Sequence, residues 1–263
     1  MISIDLSGHL GNQMFQYAVC RSIAERQGFN YFIKKYNENS QLFDSFNLDG
    51  GVNDNKTNYM LGEGPGVFRN DVLNANDGTH LSGYFQFEQY FENNEINVKK
   101  WFTMKLNNDQ QIIYDDIRRQ YPIEEYCYVH FRGGDYNWDS PTNWILPKVF
   151  YEKAKSEIRK VSPNIKFIIT TNDVELAKSY FDGDIILSNK TSNYQPDGIR
   201  ISNDYKVDFR LLQDSKFIIL SNSTFSWWAA WLGEQEHKIA PIGWLYYGKE
   251  DNLHCKSKKF KYV

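Results

Sequence analysis

The run Tyr128-Val129-His130-Phe131-Arg132-Gly133-Gly134-Asp135-Tyr136 releases an arginine from an apolar stretch into a diglycine turn. A guanidinium offers a rigid fork of N–H donors matched to two phosphate oxygens. The two glycines would leave room for a bulky ligand and expose backbone N–H groups to it. A plainer reading makes Arg132 and Asp135 a surface ion pair that caps the strand, and His130 a satisfied core histidine. Their position at a strand end favours ligand contact.

Two further segments have the form of a strand passing through a polar turn into a helix. In Ser7-Gly8-His9-Leu10-Gly11-Asn12-Gln13-Met14-Phe15-Gln16-Tyr17, glycines let the backbone approach closely where a helix begins, and an anion could sit on Gly11, Asn12 and Gln13. Many such turns use glycine only for its backbone freedom. In Ser221-Asn222-Ser223-Thr224-Phe225-Ser226-Trp227-Trp228, hydroxyls fill the helix start, either as ordinary N-caps or as donors to an incoming phosphate. Trp227 and Trp231, four apart, share a helix face and suit a core.

The elements that must carry these turns follow from hydrophobic period. Residues 2–6 read as a strand, followed by a helix to Gln27 that ends at Gly28, with Phe15, Val19 and Ile23 on its inner face. Residues 37–77 are rich in Asn, Asp and Gly and read as irregular. Residues 81–87 read as extended, 88–92 as a short helical start, and 110–120 as a helix with Ile113 and Ile117 inward. Strands are expected at 126–131, 166–170, 184–187 and 216–220. Helices are expected at 147–160, 173–181, 204–214 and 224–232, the last stopped by Gly233. Alternating strands and helices predict parallel sheets with right-handed crossovers. The expected division is an N-terminal α/β domain at 1–123, carrying the glycine turn, and a C-terminal α/β domain at 124–263.

The 263 residues carry a formal net charge of -3 with both signs interspersed, which leaves no basic footprint for nucleic acid. Three widely spaced cysteines, Cys20, Cys127 and Cys255, argue against a disulfide framework. The opening residues lack the pattern of a signal peptide, and no span of some twenty apolar residues follows. The expected compartment is the cytoplasm. The lysine-rich end at 256–261, with Phe260 and Tyr262 interleaved, reads either as a peripheral contact with anionic lipid at the inner face of a membrane or, more plainly, as a solvated end.

Taken together, the three segments resemble the α-1,2-fucosyltransferases of glycosyltransferase family eleven, with their GxLGNQMFQYA start, HxRRGDY box and NSTFSWWAAWL helix. Leu81-Ser82-Gly83-Tyr84-Phe85-Gln86 is similar to that family's GYFQ segment, and Ile239-Ala240-Pro241 to its closing strand. This resemblance implies a GT-B-like fold, α/β with two Rossmann-type domains whose parallel sheets face a central cleft, the domain at 1–123 carrying the acceptor side and the one at 124–263 binding the nucleotide sugar. It also implies an inverting transfer of L-fucose from GDP-fucose to a glycan hydroxyl, O-2 of a terminal galactose in an oligosaccharide or glycolipid. The sequence departs from the family box at Gly133, where a second arginine is usual, and this bears on donor or acceptor choice.

Expulsion of GDP puts negative charge on the departing phosphate, and something positive must meet it. Arg132 is the candidate for that role, assisted by N–H groups around Gly11, Asn12 and Gln13 and by the helix start at Ser223, Thr224 and Phe225. The resemblance implies a nucleoside contact for His130 and a guanine contact for Asp208, which by its residue type alone could equally be an exposed helix-face acid. Asp135 is the candidate base for the acceptor hydroxyl, with Asp139 also in reach. No metal or other cofactor is expected. Asp182-Gly183-Asp184 matches a DxD, but it falls between a helix end and a strand start and reads as a turn. Two rivals stand beside this reading: a transferase of another linkage or GDP-sugar, and a nonenzymatic glycan- or nucleotide-binding domain.

Overall fold

A computed structural model describes residues 1–34, 41–54, 57–63, 67–134, 136, 144–188, 204–244 and 255–263. The chain divides into two compact units, one of Met1–Lys105 with Asn252–Ser257, the other of Leu106–Asp251 with Lys258–Val263. The boundary falls before residue 108 and not at 123, because the helix Asn108–Gln120 belongs to the second unit.

In the first unit the order is β1 (Ile2–Asp5), α1 (Leu10–Gln27), β2 (Tyr31–Lys34), α2 (Gln41–Ser45), β3 (Tyr59–Gly62), α3 (Asn70–Leu73) and β4 (Thr79–Ser82). Two 3₁₀ turns and α4 (Glu95–Trp101) follow. The strands form a parallel sheet in the order β2-β1-β4-β3. Helix α1 ends at Gly28, in the left-handed conformation (φ 70°). Phe15, Val19 and Ile23 are fully buried as expected, and so are Met14, Tyr17, Ala18, Cys20 and Ala24. The helix is covered on more than the one face that its period suggests, because Phe91, Trp101 and Phe102 pack against Phe15 and Tyr17.

The stretch 37–77 is not irregular throughout, since α2, β3 and α3 form within it. Strand β3 gave no periodic signal because it is an edge strand held by pairing with β4, with Tyr59 and Met60 largely exposed. The extended run expected at 81–87 ends at Ser82, and Phe85 takes a positive φ of 53°.

The second unit comprises α5 (Asn108–Gln120), β5 (Tyr126–Phe131), α6 (Lys148–Val161), β6 (Lys166–Thr171), α7 (Val174–Tyr180), β7 (Ile185–Ser188), α8 (Tyr205–Gln213), β8 (Phe217–Ile219), α9 (Thr224–Leu232), β9 (His237–Ala240) and β10 (Lys261–Tyr262). Helix α5 begins with a capping box in which Asn107 and Gln110 satisfy each other's backbone N–H. On α5, Ile117 is buried and Ile113 half-buried. The helix joins this unit by packing on α8, with Tyr114 Oη donating to Asp214 at 2.8 Å. The sheet is parallel in the order β10-β9-β8-β5-β6-β7.

Strand β5 is buried along its whole length, as an inner strand of a parallel sheet should be. Phe131 meets Tyr151, Tyr180 and Phe181 on one side of the sheet. Trp227, Trp228 and Trp231 on α9 are all fully buried, and Trp227 stacks on Trp231 at 6.0 Å. All three are core residues. Removing one such ring costs about 3 to 5 kcal/mol.

The chain end is not a solvated tail. Phe260 is buried against Trp227, Lys259 lies over the Trp231 ring, Lys261 pairs with Glu157 at 2.6 Å, and β10 adds a strand beside β9. The alternation Lys-Phe-Lys-Tyr is the period of a strand, a signal masked by its charge. Among the described residues, no helix is long and apolar enough to cross a membrane.

Candidate functional site

From β5 the chain runs outward to β6 and β7, then returns to the other side of β5 to lay down β8 and β9. The order therefore reverses between β5 and β8. At such a point the carboxyl ends of two adjacent strands lead their turns in opposite directions and leave a crevice. His130 and Arg132 lie at the carboxyl end of β5, and Ser221 to Thr224 at that of β8.

His130 is 7% exposed, and its Nδ1 has no hydrogen-bond partner among the described residues. Burial, with a smaller contribution from the Arg132 charge, lowers its pKa from 6.5 to about 3, so the imidazole is neutral at any physiological pH. Its ring lies 5.6 Å from that of Phe225 in the first turn of α9, and Phe225 in turn meets Phe209 of α8 at 5.3 Å. Asp208 precedes Phe209 and is 3% exposed, so it is not an exposed helix-face acid. Helix α8 packs on both β5 and α9, which brings Asp208, His130 and Phe225 into one neighbourhood.

Arg132 is half-buried, with its guanidinium 5.3 Å from the Tyr136 ring centroid. Tyr136 Oη donates to the carbonyl of Asn222 at 3.3 Å, so this ring ties the arginine's turn to the turn after β8. The diglycine N–H groups are already bonded within the protein. Gly133 N donates to Asn172 Oδ1 at 2.9 Å, and Gly134 N to Asp173 Oδ2 at 3.0 Å. A Cβ at Gly133 would stand 2.7 Å from the Cβ of Asp173, so the glycine is required by a close approach between turns. Asn172 and Asp173 are neighbours of this turn that sequence reasoning missed. Asp173 was visible in the sequence as a helix start, but its grip on a turn 39 residues earlier was not.

Ser223 is the N-cap residue of α9, with extended backbone (φ -131°, ψ 125°) and no side-chain capping bond. Its carbonyl accepts from Trp227 N at 3.0 Å and from Ser226 Oγ at 3.1 Å. Thr224 and Phe225 open the helix and are half-buried. The positive end of α9 thus faces the crevice beside Arg132, an arrangement that suits an anion.

Gly11, Asn12 and Gln13 lie in the first unit, on the opening turn of α1. There β1 lies between β2 and β4, with β3 outside β4. Gln16 joins the ends of β1 and β4, accepting from Ser7 N at 2.9 Å and donating to the Gly83 carbonyl at 2.9 Å. Gln13 donates to the Gly8 carbonyl at 2.8 Å and accepts from Leu42 N at 3.0 Å, and Asn12 accepts from Gln86 at 2.8 Å. The first helical N–H, that of Leu10, is taken by Gln41 Oε1 at 2.9 Å, and those of Asn12 and Gln13 by the His9 carbonyl. These residues shape the turn from within.

Glu63, at the end of β3, accepts from Phe85 N and from Tyr90 Oη. Burial raises its pKa from 4.5 to about 7. The family-like GYFQ segment thus contains a left-handed phenylalanine anchored by a carboxylate that titrates near neutrality.

Asp135 and Asp139 lie outside the described residues. Asp182, Gly183 and Asp184 form a turn before β7, with Asp184 paired to Lys155. Among the described residues no three His, Cys, Asp or Glu side chains group so as to hold a metal ion.

Comparison with known proteins agrees with this architecture. The model of glycosyl transferase family 11 matches residues 67–260. An alpha-1,2-colitosyltransferase of Escherichia coli is 27% identical over 91% of each chain. Galactoside alpha-(1,2)-fucosyltransferase 1 of Rattus norvegicus is 24% identical over 88% of this chain and 63% of its own length. Among solved structures, the fucosyltransferase NodZ from Bradyrhizobium aligns with a TM-score of 0.51 at 14% identity, covering 88% of this chain and 93% of its own. That likeness is one of fold.

Proposed function

The chain belongs to glycosyl transferase family 11, and on that premise we propose that it transfers L-fucose from GDP-fucose, with inversion, to O-2 of a terminal galactose on a glycan. The observation that carries this reading is the placement of Arg132 after β5 and of the α9 helix start after β8, on either side of the order reversal between those two strands. As the acceptor oxygen bonds to the anomeric carbon, the bond from that carbon to the β-phosphate oxygen breaks and its electron pair passes to GDP. The acceptor proton leaves to a base, for which Asp135 remains the candidate. Arg132 and the first turn of α9 meet the charge on the departing phosphate. Neutral His130 and Phe225 flank the nucleoside, and Asp208 accepts from the N1–H and amino group of guanine. The side chain at 208 is the group that would distinguish guanine from adenine.

The sugar is the least constrained part. One relative is named for colitose and another for fucose, both with an alpha-1,2 linkage, which supports the linkage over the donor. A panel of GDP-fucose, GDP-colitose and GDP-mannose against galactosides, run in EDTA and read by mass spectrometry with linkage analysis, tests the proposal. Transfer of fucose to O-2 of galactose is expected. Transfer of another sugar, formation of another linkage, or loss of turnover in EDTA would refute the corresponding part.

A further inference from the structure

Arg132 follows a rigid strand, yet the turn that aims it contains two glycines, and a diglycine turn by itself holds no direction. Besides Tyr136, what holds it comes from the neighbouring strand. Thr171 ends β6 in register with Phe131 at the end of β5, so Asn172 and Asp173 emerge beside Arg132, Gly133 and Gly134. Asn172 accepts from Gly133 N at 2.9 Å and donates from Nδ2 to the Gly133 carbonyl at 3.0 Å, satisfying both polar groups of the residue after the arginine. Asp173 divides its two oxygens between two tasks: Oδ1 caps α7 by accepting from Leu176 N at 3.1 Å, and Oδ2 accepts from Gly134 N at 3.0 Å. The turn is thereby fastened to the amino end of α7.

We propose that Asn172 and Asp173 are positioning residues for Arg132, holding the Gly133–Gly134 turn so that the guanidinium is already aimed when the phosphate charge develops. The usual second arginine of the family box has no place here, since its Cβ would displace Asp173. Preorganised groups contribute most when they need not move during reaction, so loosening the turn lowers turnover more than it weakens substrate binding.

This inference rests on the role given to Arg132, and the test keeps the two apart. Asp173→Ser retains a good helix cap for α7 but cannot reach Gly134, while Asn172→Ala removes both bonds to Gly133 and leaves the cap intact. With GDP-fucose and a galactoside, kcat per folded enzyme should fall at least fivefold in each variant, with KM for GDP-fucose within threefold of wild type. A smaller fall, a fall that tracks the folded fraction, or a KM that rises more than kcat falls overturns the proposal. Arg132→Ala is measured alongside. If it loses turnover while the other two keep theirs, the positioning role alone fails; if it keeps turnover, the site reading fails with it.

Discussion

The ring of His130 lies 5.6 Å from that of Phe225, inclined at 37°, so a neutral imidazole at the end of β5 faces the first turn of α9. Burial makes that neutrality a property of the fold. The native pKa, about 3, is far below the ordinary 6.5, so the unfolded chain takes up a proton between these values and the native state does not. The resulting stability is fully present above pH 6.5 and is lost as pH falls toward 3, at no more than about 1.4 kcal/mol per pH unit. Urea unfolding of wild type and His130→Gln from pH 7 to 4 should show a steeper acid loss in wild type. Equal slopes would mean that the native imidazole accepts its proton.

Glu63 works in the opposite direction. Its native pKa, raised by burial to about 7, lets the folded state hold a proton that the unfolded chain releases near 4.5. Its contribution is therefore present below pH 4.5 and lost as pH rises through 7. Glu63→Gln stays neutral and can still accept from Phe85 N, so it should gain about 1 to 3 kcal/mol over wild type at pH 8 and little at pH 4.5. Equal stability of the two proteins at pH 8 would contradict the buried carboxylate. Because the His130 and Glu63 windows overlap with opposite slopes, the variants separate what wild type alone would partly cancel.

Asp208, buried on α8 beside Phe209, is predicted to read the base. In wild type, GDP should compete with the donor far better than ADP or UDP. Asp208→Asn keeps the size but loses the charged acceptor, and the preference should shrink by roughly 10- to 100-fold, the effect of losing hydrogen bonds to a charged group. Competition assays with the three nucleotides check this, and an unchanged ranking would remove Asp208 from the site.

The parts of this molecule legible in its sequence are those whose burial is regular. Strand β5 is buried at every position and α9 is apolar nearly throughout, so their limits, and with them the places of His130, Arg132 and Thr224, followed from pattern alone. Strand β3 has no buried face, and β10 alternates lysines with aromatics, so both form through pairing that composition does not announce. The holding groups were the least visible. Asn172 bonds to a turn 39 positions away and Gln16 to one 67 away, and an amide side chain looks the same in sequence whether it faces water or a neighbouring backbone.

The account depends on Arg132 as the positive charge that meets the departing diphosphate. Single-turnover transfer from GDP-fucose to a galactoside by Arg132→Ala tests it directly. Loss of this donor should lower the rate about 100- to 1,000-fold, with only partial recovery in Arg132→Lys because an ammonium lacks the planar fork. An alanine variant that keeps more than about a tenth of the wild-type rate, against that expected loss, would contradict the account.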